Sequence, residues 1–314
     1  MDIFYSGKKK TAAAAILTIV CCILMVAFPS TVLLSARKAI DLWILDVLPA
    51  LLPFFICSGF LQNLGVMRYL GSGIFPFAMS ALSGYPMGAS IIGSLRRSGD
   101  VSLDEAKKML SYCSTSGPAF MIGAVGAGMM GSGQIGMIIA ISHYAGALIN
   151  GFVHGGISLK RREMKRNLRH DLDDASSRII QNSLYDALTD SILMSLKSVG
   201  IILAYIVMFM FITDMITVSG VMDGVEKPWV EALLKGLFEM TVGCEAAAGC
   251  IGISDTVKCI LCTSMISWGG LSVIGQTMSM LAGTGITGGY VVAMKLTHGL
   301  FSAAAAFTIA LFML

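Results

Sequence analysis

Two apolar stretches of this 314-residue chain carry the residues that a membrane helix tolerates least. SALSGYPMGAS, residues 80–90, holds Gly84, Pro86 and Gly88; CSTSGPAFMIGAVGAG, residues 113–128, holds Gly117 and Pro118. A proline removes a helical hydrogen bond and clashes with the carbonyl four residues back. In hydrocarbon no water replaces that bond, so irregular backbone survives only inside protein or beside a wet cavity. A chain that breaks apolar segments in this way must wrap the breaks in other helices.

Composition says that the apolar surroundings are a bilayer. The chain is 55% hydrophobic and 13% charged, against roughly 25% charged in an ordinary soluble domain. Its apolar runs are about 20 residues long, the length of a spanning helix rather than of a ~10-residue barrel strand. A net charge of +3 is too small to suggest nucleic acid. Most of the eight cysteines lie in apolar segments. The C-x-x-C of Cys259 and Cys262 therefore reads as helix packing, not as a metal or redox pair. No phosphate loop, nucleophile elbow or H-E-x-x-H occurs, and the chain reads as a non-enzyme without cofactor or metal.

The apolar segments run at 11–28, 40–62, 70–95, 109–131 and 134–158, then at 191–213, 229–253, 259–281 and 287–312. Segment 11–28 follows KKK and reads as a retained first helix rather than a cleaved signal. Pro49 and Pro53 predict a kink in the second segment. Ser102 and Glu105 form a capping-box pattern that opens a short helix. The expected domains are 1–39 (N-terminal helix and flank), 40–159 (first repeat), 160–190 (basic cytoplasmic linker) and 191–314 (second repeat).

Lysine and arginine in short loops set orientation. Lys8–Lys10, Arg96–Arg97 with Lys107–Lys108, and the basic run of 160–169 are expected in the cytoplasm, and so is the N-terminus. With Arg68 and Arg96 on one side, segment 70–95 enters and leaves by the same face as a re-entrant hairpin. Three crossings remain in each half, so two similar halves would be inverted. Spacing supports similar halves: Gly117 to Gly123 matches Gly269 to Gly275, and Gly136 to Gly146 matches Gly289 to Gly299, at a common offset of about 152–153. The fold expected is an all-α polytopic membrane protein. It has two inverted repeats, each with three crossings and a re-entrant or broken hairpin, plus an extra N-terminal span. Paired interrupted segments of this kind point to a transporter site.

Broken helices expose N–H groups that attract anions. Ser83, Gly84, Tyr85 and Pro86 in the first break, and Ser114, Thr115, Ser116, Gly117 and Pro118 in the second, form the candidate pocket. Ionisable residues at membrane depth are the second pointer. Lys295 and His298 share a helix face, and His143 lies near the matching position of the first half. Glu239 and Glu245 bracket Gly243. Glu245 and Lys295 are the expected charged contacts, as a pair or with solute and proton.

SGYPMGA, L-x-x-x-G-D-V-S-L-D-E-A and S-x-S-G-P-A-F-M-I-G-A-V-G resemble the sporulation integral membrane proteins of the YlbJ type, in the nucleoside-recognition or gate-domain group. Residues 83–131 carry the resemblance most specifically; ISHYAGALINGF, EMTVGCEAAAG, SWGGLSVIGQ and KLTHGLFSA extend it. The resemblance implies an endospore-forming bacterium and passage of dipicolinic acid across the outer forespore membrane. The partners expected are a small anionic solute and the bilayer, with a coupling ion and further copies of the chain left open. Two other readings remain: transport of a nucleoside or another solute, and a non-transporting scaffold for the spore envelope that acts through the basic loop.

Overall fold

The computed structural model describes residues 2–64, 73–155, 184–220 and 222–314. Arg68 and the basic run of 160–169 lie outside the described residues, as do most of the linker and, for their side chains, Lys8–Lys10.

Every regular element of the described residues is a helix. α1 (Asp2–Ala27) turns by 104° into α2 (Pro29–Leu42), where Phe28 leaves the helical region and Pro29 opens the new helix. α2 continues through a π-helical turn, Trp43–Val47, into α3 (Leu48–Asn63). That turn sits immediately ahead of Pro49, whose ring crowds the carbonyl four residues back, so the backbone widens there. The expected kink is thus a π-turn, and the helix of the second segment begins at 29 rather than 40.

α4 (Ile74–Ser83) and α5 (Met87–Arg97) form the first hairpin, joined by Gly84–Pro86. α6 (Leu103–Cys113) opens on the expected box: Ser102 Oγ accepts from the Glu105 N–H, and Glu105 Oε2 accepts from the Ser102 N–H at 2.8 Å. The chain then runs without helix through Ser114–Gly117 and resumes as a π-helix, Ala119–Met129. α7 (Gly133–Val153) closes the first half.

The second half follows with α8 (Leu184–Val218), then α9 (Pro228–Phe238) and α10 (Met240–Gly249) as a hairpin. α11 (Asp255–Trp268) and α12 (Gly270–Met280) meet at Gly269, and α13 (Gly288–Met313) ends the chain. α8 starts inside the segment expected to be linker. The crossings expected at 109–131 and 259–281 are each broken near their middle.

The elements run in one order twice. Ile74 and Pro228, Met87 and Met240, Leu103 and Asp255, Ala119 and Gly270, and Gly133 and Gly288 start corresponding helices, 151 to 155 residues apart. Packing follows the same exchange: α5 lies on α12 of the other half, and α10 lies on the π-helix Ala119–Met129. α7 and α13 pack along one another at the centre. There Gly146 admits Ser302: a Cβ at Gly146 would stand 2.0 Å from the Ser302 Oγ.

α7, α8, the α11–α12 pair and α13 are long and apolar enough to cross a membrane, with α1–α2 a fifth if that bent pair is one span. Their outward faces are apolar: Phe152, Leu193, Met194, Leu300 and Leu311 are all exposed. Such side chains are stable facing lipid and costly facing water.

Candidate functional site

The two breaks and the two hairpin tips come together. At the first tip Gly84 takes φ +89, and a Cβ there would stand 2.8 Å from the Gly117 N. Only glycine accepts both the left-handed backbone and that approach. The second half repeats the contact in reverse: a Cβ on Gly270, in break two, would stand 2.7 Å from the Phe238 carbonyl of tip two.

Between the tips lies a cavity of about 710 Å³. Its apolar wall comes from α2–α3, the π-helix 119–129 and α8. Its polar groups are Ser83, Tyr85 and Ser116 from the first half, and Glu239, Thr241 and Gln276 from the second. Gly84 and Gly117 also line it.

Glu239 is buried and caps α10. Its Oε2 accepts from the Val242 N–H at 2.9 Å and its Oε1 from the Thr241 hydroxyl at 3.2 Å. No lysine or arginine pairs with it among the described residues; the ion pair found there joins Lys235 and Glu231 on α9. Glu245, favoured from the sequence, is exposed on the same helix and does not meet Lys295. The segment leaves the helix at Glu239 (φ −141, ψ 119), which turns that carboxylate inward and Glu245 outward.

Lys295 is fully buried but stands behind the cavity wall. Its Nζ donates to the Ser114 carbonyl at 3.2 Å and the Ser267 carbonyl at 3.4 Å, and lies 3.7 Å from the centre of the Tyr85 ring. Those carbonyls belong to the C-terminal ends of α6 and α11, where helix dipoles favour a cation. The aromatic face adds a further attraction. The Tyr85 hydroxyl donates to the Ile266 carbonyl, again at the end of α11.

His143, one repeat earlier on α7, mirrors this role. Its Nε2 accepts from the Ser116 N–H at 2.9 Å, so the proton sits on Nδ1, which donates to the Ser267 Oγ at 2.7 Å. His298 is buried beside it, ring centres 4.7 Å apart, and its Nε2 donates to the His143 carbonyl. Tyr144 donates to the Ala81 and Ser116 carbonyls, tying the first tip to the first break.

The loosened amides are therefore largely committed. The Thr115 N–H goes to Ser80 Oγ and the Ser116 N–H to His143, instead of both pointing into open space. Ser80 also donates to the Cys113 carbonyl. Of the residues expected to form the pocket, Ser83, Gly84, Tyr85, Ser116 and Gly117 line it. Pro86, Ser114, Thr115 and Pro118 shape the backbone behind them. Lys295 and His298 stand one layer back, and Glu245 is elsewhere. Sequence reasoning missed Gln276, Thr241 and Asn150. Asn150 donates to the Ser111 and Met294 carbonyls and accepts from Thr297 at 2.6 Å, joining α6, α7 and α13. Cys259 and Cys262 are buried and unbridged, and no group of three metal-binding side chains occurs among the described residues.

Described residues that are helical in every regular element, with several apolar spans around a cavity that carries a few polar groups in an apolar wall, make a polytopic membrane protein. It is similar to the sporulation integral membrane protein YlbJ of Bacillus subtilis, 26% identical over 317 aligned positions that cover 89% of this chain and 78% of that protein. The similarity supports the YlbJ-type reading of the motifs and a membrane location. No family model matches the chain. No solved structure matches it.

Proposed function

We propose that the chain is a secondary transporter or facilitator of a small organic anion, dipicolinate in the reading that the YlbJ resemblance implies. The observation that carries this is the convergence of two hairpin tips and the first helix break on one cavity of about 710 Å³, with α12 beyond the second break adding Val273 and Gln276. That volume falls within the roughly 300–1,000 Å³ of small-molecule sites. Paired, interrupted helices around such a cavity are the arrangement that alternating access uses. The exchange of packing partners between halves supports two related repeats, and the odd number of crossings expected in each half makes them inverted in this reading. In this reading the N-terminus and the basic loops stay in the cytoplasm. The protein sits in the mother-cell membrane around the forespore.

A flat aromatic acid fits the site chemically. Phe120 offers an aromatic side chain in the cavity wall, and Ser83, Ser116 and Gln276 offer hydrogen-bonding groups. The hydroxyls and the carboxylate of Glu239 also suit a neutral polyhydroxyl solute, which favours a nucleoside as the second reading.

Uptake of labelled dipicolinate into proteoliposomes of the purified chain tests the proposal. Saturable uptake is expected, reduced at least tenfold by Gly123→Phe. Gly123 lines the cavity and a Cβ there meets nothing within 4 Å, so the ring fills the space without displacing backbone. Uptake of nucleosides but not dipicolinate selects the second reading. Absence of any solute flux returns the weight to the scaffold reading.

A further inference from the structure

We infer that Glu239 is the coupling site of the carrier, taking up one proton when the anionic solute enters the cavity and releasing it when the solute leaves. This rests on the anion-carrier reading above and adds its driving ion.

Glu239 lies in the cavity wall, at the tip of the second hairpin, with 3% of its surface exposed. Its oxygens accept from the Val242 N–H and the Thr241 hydroxyl, with the Thr241 N–H also directed at the carboxylate, and lone pairs remain for a proton. No cation neutralises it among the described residues. Lys295, the buried ammonium of the core, is spent on the ends of α6 and α11 behind Tyr85. An ionised Glu239, 3% exposed, and a dianion in one mostly apolar cavity repel each other more strongly than they would in bulk water. A proton on Glu239 removes that repulsion and leaves a hydroxyl that can donate to the solute.

Among the described residues that line the cavity, Glu239 is the one carboxylate. α8 and α12 face the cavity with Ile202, Ile206, Val273 and Gln276. From the first hairpin comes Tyr85, whose hydroxyl is engaged with Ile266. On α10 itself, Cys244 is buried against Cys262 of α11. Glu231 and Lys235 of α9 pair with each other. The balance is simple: a proton from the loading side bonds to a Glu239 oxygen, travels with the dianion, and leaves to water on the far side. A gradient of protons across the membrane supplies the work. Because the proton is taken up on binding, affinity is greatest at low pH and falls as pH rises.

Calorimetry of dipicolinate binding to the full chain in lipid nanodiscs tests this without requiring flux. Titrations at one pH in two buffers of different ionisation enthalpy count the protons taken up. Wild type should take up about one per dipicolinate, and its affinity should fall about tenfold per pH unit on the alkaline limb. Glu239→Gln should bring the count to about zero and flatten the pH dependence at whatever affinity it keeps. Glu239→Asp should restore the count. Dipicolinate binding by wild type without proton uptake, binding that follows sodium instead, or an unaltered proton count in Glu239→Gln would each overturn the inference while leaving the carrier reading intact. Failure of wild type to bind dipicolinate at all would overturn the anion reading and the inference with it.

Discussion

Two helix ends and an aromatic face compensate the charge of Lys295, which is why a fully buried lysine persists here without a carboxylate. In a bilayer the hydrophobic effect contributes little to helix association, so bonds of this kind and close packing hold the core. Lys295→Met fills similar space but leaves the carbonyls of Ser114 and Ser267 without that donor. It should destabilise by about 2 kcal/mol, at the upper end of measured interhelical polar bonds. Tyr85→Phe keeps the ring under the ammonium and loses only the bond to Ile266, so about 1 kcal/mol or less is expected. Unfolding titrations in mixed micelles would rank the two; a larger effect from Tyr85→Phe would show that the cation is not the tie between α6 and α11.

At the scale of elements, the first hairpin depends on contact with α6. A Cβ on Gly88 of α5 would stand 1.9 Å from the Cys113 carbonyl, so no side chain fits without moving one helix. Gly88→Ala should cost more than about 2 kcal/mol through overpacking and lower the melting temperature of the purified protein. Gly200→Ala on α8, where an added Cβ meets nothing, is the contrast and should be neutral or stabilising by up to about 1 kcal/mol. Ser102→Ala removes the cap of α6 and should cost about 1 kcal/mol. A Gly88→Ala protein that melts with wild type would mean that the hairpin does not need its seat on α6.

For the whole molecule, the inverted arrangement proposed above predicts where loops emerge. Asp104, at the start of α6, and Glu226, ahead of α9, are both exposed. Single cysteines at these two positions, in a background without other thiols, should react with an impermeant maleimide from opposite faces of sealed vesicles. Labelling of both from one face would rule out the inversion. The sealed-vesicle result also decides whether the two hairpins enter the membrane from opposite sides, as inverted repeats require.

Much of this was legible in the chain, because the determinants are local. Gly84, Pro86, Gly117 and Pro118 break helices wherever they stand, so both first-half breaks fall where the residues say. The capping box of Ser102 and Glu105 acts within four residues, and the repeat offset of about 152–153 recurs in the helix starts. Other features needed three dimensions. Nothing in Phe238–Glu239–Met240 marks a break, since neither glycine nor proline is present. Which of Glu239 and Glu245 faces inward therefore depends on how α9 and α10 are packed by their neighbours. The ends of α6 and α11 come from different halves of the chain, and only their meeting makes them the seat of Lys295 rather than leaving that lysine to the solute. Local chemistry settles where a helix stops; long-range packing settles what each freed end and each charge confronts.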